Sequence, residues 1–219
     1  SRMTPEEKGV AAVADLMALA ARTAPKGKGS DTLEIAVLAK RETKKLSAQL
    51  EKLGKERGIG FFLRDAKNIA TSAGCVIIGC RGHEAAGIDC GGCGYAGCAE
   101  FAMAAKKSAG TKTPYSGPNC VLRMADLGIA VGSAVKTAQI HNVDNRVMYS
   151  GGVAAQLRQP QGDHLRDRPF GRAVLQRAAA GGPEQSSLDD RLRVRSLHRD
   201  AEADRWRQDL HLQDPRGRE

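Results

Sequence analysis

Cys75-Val76-Ile77-Ile78-Gly79-Cys80 is a continuous apolar run bounded by glycines, the pattern of a strand buried on both faces. The sequence on either side of it supplies helices and a further strand. On the N-terminal side, Leu46, Leu50 and Leu53 recur at helical spacing, and the helix they predict closes near Gly54 to Gly58. Leu33 to Leu38 reads as a short strand before it. Thr4-Pro5-Glu6-Glu7 combines an N-cap, a proline at the first helical position and a capping-box glutamate. The helix it starts carries Val10, Val13, Met17 and Ala20 on one face and runs to about Arg22, where Pro25 ends it. A small basic loop, Lys26-Gly27-Lys28-Gly29-Ser30, follows. On the C-terminal side, Cys120 to Ile140 is apolar nearly all round, through Leu122, Ala125, Ile129 and Val131 to Val135, as a buried helix should be. A further helix is expected from near Asn145 through Val153, with Asp144, Asn145 and Arg146 as its cap. Strand, helix, strand in this order predicts an α/β layered domain over residues 4–155, with residues 81–120 inserted as a cysteine-rich loop and helix.

That insertion holds Cys90-Gly91-Gly92-Cys93-Gly94-Tyr95-Ala96-Gly97-Cys98 and, farther on, Cys120, a C-x2-C-x4-C-x21-C spacing. Four thiolates are the ligand set of a [4Fe-4S] cubane, and close spacing lets three of them converge from one loop. The glycines allow unusual backbone angles and leave N–H groups free to approach inorganic sulfide. Structural zinc is the competing reading, since four thiolates also suit a tetrahedral ion. Zinc sites usually pair two short knuckles, however, whereas here three cysteines share one loop and the fourth is remote. Cys90, Cys93, Cys98 and Cys120 are therefore the candidate cluster ligands. Cys75 and Cys80 belong to the apolar strand and read as core residues. His83 and His141 are isolated in sequence, and neither has a partner at catalytic spacing.

The net charge of +9 does not imply nucleic acid, because it is not one-signed where arginine is dense. Residues 1–155 carry +7, while residues 156–219 carry 13 arginines against 11 acids, with Trp206 as the one interleaved ring after Phe170. The chain has no apolar run long enough to span a bilayer, and SRMTPEEKGV has no apolar signal core. A cytoplasmic protein with its cysteines as thiols or metal ligands is expected, with a redox partner protein or flavin, no nucleic acid, no membrane, and a homodimer left open.

The cysteine spacing resembles the iron-sulfur module in the B subunit of ion-pumping electron-transport complexes and in the corrinoid iron-sulfur protein. In that module a helix and a fourth cysteine follow CGxCGxxxC. Ala99 to Ala105 supplies the helix here and Cys120 the fourth ligand, although Gly117-Pro118-Asn119 precede this cysteine where the module usually has proline after it. A longer resemblance spans about residues 5–155. It rests on Arg22-Thr23-Ala24-Pro25-Lys26-Gly27-Lys28-Gly29, Phe62-Leu63-Arg64-Asp65-Ala66, the cysteine loop, Gly117-Pro118-Asn119-Cys120, Asp126-Leu127-Gly128-Ile129-Ala130 and Asn142-Val143-Asp144-Asn145-Arg146-Val147-Met148-Tyr149. These look like the uncharacterised prokaryotic family containing a ferredoxin domain, which implies a cofactor and electron transfer but no particular reaction. The order of helix, Ala-Pro loop, strand and late buried helix is also similar to flavin-dependent nitroreductases. That likeness implies a nitroreductase-like layered fold and makes Arg22, Lys26 and Lys28 the candidates for an FMN phosphate. An FMN-dependent oxidoreductase and a non-redox, zinc-stabilised binding protein are thus the alternatives to a cluster-bearing electron carrier.

The last third changes character. All 13 lysines lie before residue 137, whereas 13 of 21 arginines and 7 of 9 glutamines lie after residue 155. Either residues 156–219 form a disordered Arg-rich tail, or the reading frame shifts. Asp163 to Arg177 can be encoded so that the frame one base later reads Ile-Tyr-Gly-Ile-Ala-Leu-Ser-Gly-Glu-Pro-Phe-Tyr-Asn. That peptide has the pattern of a terminal strand and resembles the Gly-Ile-x-Leu-Ser ending of the ferredoxin-domain family. Residues from about 157 onward are accordingly expected to be out of frame and not to form native structure.

Overall fold

The computed structural model describes residues 3–107, 115 and 117–157, and the backbone of 170–177. Thr4 opens helix α1 (Pro5–Thr23) with the expected capping box. Its hydroxyl accepts the Glu7 N–H at 3.2 Å, while the Glu7 carboxylate accepts the Thr4 N–H at 3.1 Å. Strand β1 (Leu33–Leu38) leads to helix α2 (Lys40–Arg57), which ends on Gly58 in the left-handed conformation. Helix α3 (Gly60–Thr71) follows; its buried Phe62, Ala66 and Ile69 stand four and then three residues apart, a helical stripe. Strand β2 (Gly74–Cys80) is the apolar run. After the cysteine segment come α4 (Cys98–Lys107), α5 (Val121–Ile140), β3 (Asp144–Met148), α6 (Tyr149–Leu157) and β4 (Phe170–Arg177).

The sheet runs β1-β2-β4-β3, antiparallel throughout. Leu33 faces Cys80 across the β1/β2 pair, Cys80 faces Phe170 across β2/β4, and Met148 faces Ala173 across β4/β3. β2 is buried on both faces, and its alternation sorts its side chains into two cores. Val76, Ile78 and Cys80 pack with Met17 of α1 and Leu127, Ala130 and Ala134 of α5. Cys75 and Ile77 pack with Leu46 and Leu50 of α2, Ile69 of α3 and Val153 of α6. Helices thus cover both faces, giving the α/β layering expected. On the second face the Ser150 hydroxyl donates to the buried Asp65 carboxylate at 2.6 Å, joining α6 to α3.

Two expectations are corrected. Asp144 to Met148 is a strand and not the start of a helix, so Asp144, Asn145 and Arg146 do not cap one; the helix begins at Tyr149. The five residues have an edge position beside β4, and that backbone pairing decides their conformation. The sheet also takes in a strand beyond residue 155. Phe170–Arg177, assigned above to the tail, is the strand between β2 and β3. A strand as buried as β2 must pair its N–H and C=O groups on both edges, and β4 satisfies the second edge. The rest of the proposed out-of-frame segment lies outside the described residues.

Candidate metal centre

Cys120 is the N-cap of α5, and its N–H donates to the Gly82 carbonyl at 2.7 Å, which pins the helix start to the segment leaving β2. The cysteine is buried and shares a small apolar pocket with Ala86 and Phe101, against which Cys93, Tyr95 and Leu122 also pack. The Tyr95 and Phe101 rings meet edge to face, with centroids 5.9 Å apart. The loop carrying the other cysteines lies against the same helix start. A Cβ on Gly92 would fall 2.7 Å from Val121 Cγ1 and 3.7 Å from Cys90 Sγ, so only glycine allows the loop to come this close.

Cys98 begins α4, and its N–H donates to Asp89 Oδ1 at 2.6 Å, closing the loop from Asp89 round to Cys98. Glu100 accepts the Ala96 N–H at 2.9 Å, a carboxylate at the positive end of α4. Asp89, Gly91 and Gly94 have positive φ. Cys90 is exposed, Cys93 and Cys98 are half-buried and Cys120 is buried, so the four thiols run from surface to interior within one lobe. Among the described residues, no three His, Cys, Asp or Glu side chains converge on a point to hold a single metal ion. The chemistry of the donor set, four cysteines with three on one glycine-rich loop, suits an iron-sulfur cluster. Cys75 and Cys80 lie outside this lobe, in the two cores of the sheet, and burial pushes both thiols up to about 12.

Each of the three candidate phosphate ligands has a protein partner. Arg22 Nη1 donates to Asp31 Oδ2 at 2.7 Å and to the Leu33 carbonyl at 2.8 Å. Lys26 Nζ donates to the carbonyls of Arg22 at 2.6 Å and Ala24 at 2.8 Å, closing the C-terminus of α1. Lys28, at φ 59°, reaches instead toward the cysteine segment, its Nζ 3.5 Å from the Gly87 carbonyl.

The basic loop is also tied to α5, by Arg123, which no motif marked, and by Asp126, which stood in a motif without a role. Asp126 Oδ1 accepts the Gly27 N–H at 2.8 Å. Arg123 Nη1 donates to the Ser30 carbonyl at 3.2 Å and to Asp126 Oδ2 at 3.3 Å. Both side chains are almost completely buried. The available signal was two opposite charges three residues apart in the apolar first half of the helix.

Comparison with known proteins bears on this lobe directly. A family model described as an uncharacterized protein containing a ferredoxin domain matches residues 116–159, and the FeS family model matches residues 86–110. An uncharacterized protein of Archaeoglobus fulgidus is 42% identical over 151 residues, which are 69% of this chain and 79% of that protein. Among solved structures, a nitroreductase with bound FMN from Desulfitobacterium hafniense has a TM-score of 0.46 at 14% identity, over 83% of this chain and 93% of its own. Nitroreductase A from Vibrio parahaemolyticus has a TM-score of 0.44 at 10% identity over 84% of this chain, which spans 63% of that protein's length. With a relative this similar along most of its length, and the two family models on the cysteine segment and on the helix after it, the chain belongs to the family of uncharacterized proteins containing a ferredoxin domain.

Proposed function

We propose that this chain holds one [4Fe-4S] cluster on Cys90, Cys93, Cys98 and Cys120 and relays single electrons from a reduced donor protein to a flavin or a partner oxidoreductase. The observation that carries the reading is the packing of the Cys90–Cys98 loop on the N-terminus of α5, with Cys93 and Cys120 in one apolar pocket. A bound cluster supplies a one-electron couple at constant ligation. The residues around it divide the labour. Phe101 and Ala86 shield the Cys120 side from water, while exposed Cys90 leaves the outer side open to a partner. The N-terminus of α5 adds the positive end of a twenty-residue helix at the fourth ligand. A reducing, cytoplasmic setting is part of this reading, since these thiols must stay free of disulfides.

Protein purified without oxygen should be brown and carry iron and sulfide in equal amounts, about four of each per chain. Serine at Cys90, Cys93, Cys98 or Cys120 should cut both sharply, whereas alanine at Cys75 or Cys80 should leave both in place. Stoichiometric zinc without sulfide would replace this function with a zinc-stabilised binding protein.

FMN bound at the basic loop is a second reading, supported by Lys28 beside Gly87 at the edge of the cysteine segment. A phosphate there would have to compete with the carbonyls that hold Lys26 and with Asp31 on Arg22. Flavin released on denaturation, and lost in the Lys26→Ala/Lys28→Ala double variant, would support it.

A further inference from the structure

We propose that Arg123 and Asp126 form a charge-setting pair for the fourth ligand, fixing the reduction potential of the site by nearly cancelling one another one helical turn from Cys120. This assignment rests on the cluster reading above. Arg123 is the third residue of α5, directly after the N-cap Cys120. Residues three apart on a helix are neighbours, so Arg123 stands one turn from Cys120, with its guanidinium directed at the Ser30 carbonyl and at Asp126. It is 4% exposed, Asp126 is equally buried, and the Arg123 Nε has no hydrogen-bond partner among the described residues. Its backbone is held as well, since its carbonyl accepts the Cys80 thiol at 3.5 Å.

Among the described residues, a guanidinium taken out of water this completely is compensated by Asp126 and the Ser30 carbonyl. Asp126 is in turn shared with the Gly27 N–H. Buried charges are weakly screened by salt, so each member of the pair acts at full strength on any change of charge nearby. Adding an electron at the ligand set adds one negative charge. Arg123 alone favours that state and Asp126 alone opposes it; together they leave a small residual field. Both are positioning residues, acting on the site through its electrostatics without touching it.

Opposite signs are the signature of this role. Removing the cation by Arg123→Gln leaves Asp126 uncompensated and should lower the midpoint potential. Asp126→Asn keeps an acceptor for the Gly27 N–H, leaves Arg123 uncompensated and should raise it. The double variant should return close to wild type, which loss of packing alone would not do. The test is anaerobic spectroelectrochemical titration of the purified full chain, with iron and sulfide measured in every variant. Shifts of the same sign, or none, in variants carrying full iron and sulfide would overturn the pair's role and leave the cluster reading standing. Wild-type protein without iron and sulfide would overturn the cluster reading and the pair's role together. Should Arg123→Gln fail to take up iron, Asp126→Asn decides alone, and an unchanged or lowered potential overturns the assignment.

Discussion

Cys75 lies in a core of the sheet, apart from the lobe that holds the four cluster candidates, and its surroundings decide its protonation. Desolvation disfavours a thiolate, so the fully buried Cys75 thiol is pushed up to about 12 from an ordinary 9.0 and stays protonated at physiological pH. Linkage turns this into a stability effect with a definite sign. Above the unfolded value the unfolded chain gives up its thiol proton while the folded chain keeps it, so the stability is whole below about pH 9 and is lost as pH rises toward 12. The slope is at most about 1.4 kcal/mol per pH unit for one thiol. Cys75→Ala should cost roughly 1 kcal/mol at neutral pH and make the alkaline loss shallower. Urea melts of wild type and variant at pH values on either side of about 9 measure both terms. Parallel pH profiles would show that Cys75 does not titrate as burial requires.

The short connection from β2 into the cysteine segment shows how much an element's position depends on one backbone contact. Gly82 receives the Cys120 N–H, and a Cβ on it would collide with the Asn119 side chain and come within 2.7 Å of Met124 Cε. Gly82→Ala should push the start of α5 away from the loop, lowering iron and sulfide content and speeding cluster loss in air while the sheet stays folded. Unchanged iron content and air stability would mean that the helix start tolerates the shift. Elements set by local chemistry were legible in the sequence: the capped α1, the Leu46, Leu50 and Leu53 face of α2, the apolar β2 and the buried α5. The cysteine spacing named its candidate ligands for the same reason, because three of them fall within nine residues. What remained hidden was set from afar. Arg123 meets Ser30, and Asp126 meets Gly27, across 93 and 99 residues of sequence. β3 is a strand only because β4 lies beside it, and α3 carries its stripe on a segment that the reading treated only as a motif.

The molecule as a whole depends on a strand drawn from the region where its composition breaks. The order β1-β2-β4-β3 places the last strand inside the sheet, so β4 joins the β1/β2 pair to β3 and cannot be removed as a tail. Seven β2 residues, Gly74 to Cys80, and five β3 residues, Asp144 to Met148, have partners on it. A chain ending at Gly152 would strip both rows. At a net of about 1 kcal/mol per hydrogen bond, the loss is comparable with the whole stability of an ordinary domain, about 5–15 kcal/mol. That chain should lose its cooperative melt and expose β2, even though every candidate ligand remains in it. The alternative frame makes the converse prediction. The frame one base later puts Ile, Tyr, Ile and Leu among small residues at positions 164–169, before the present β4, so the restored chain would seat that stretch, richer in strand formers, in the interior position. Restoring that frame should therefore raise the melting temperature above that of the present chain, as the truncation lowers it. Sequencing the encoding DNA comes first, because an uninterrupted frame with no continuation downstream ends the proposal. If the restored chain can be made, a melting temperature no higher than that of the present chain would show that the present Phe170–Arg177 is the native strand after all.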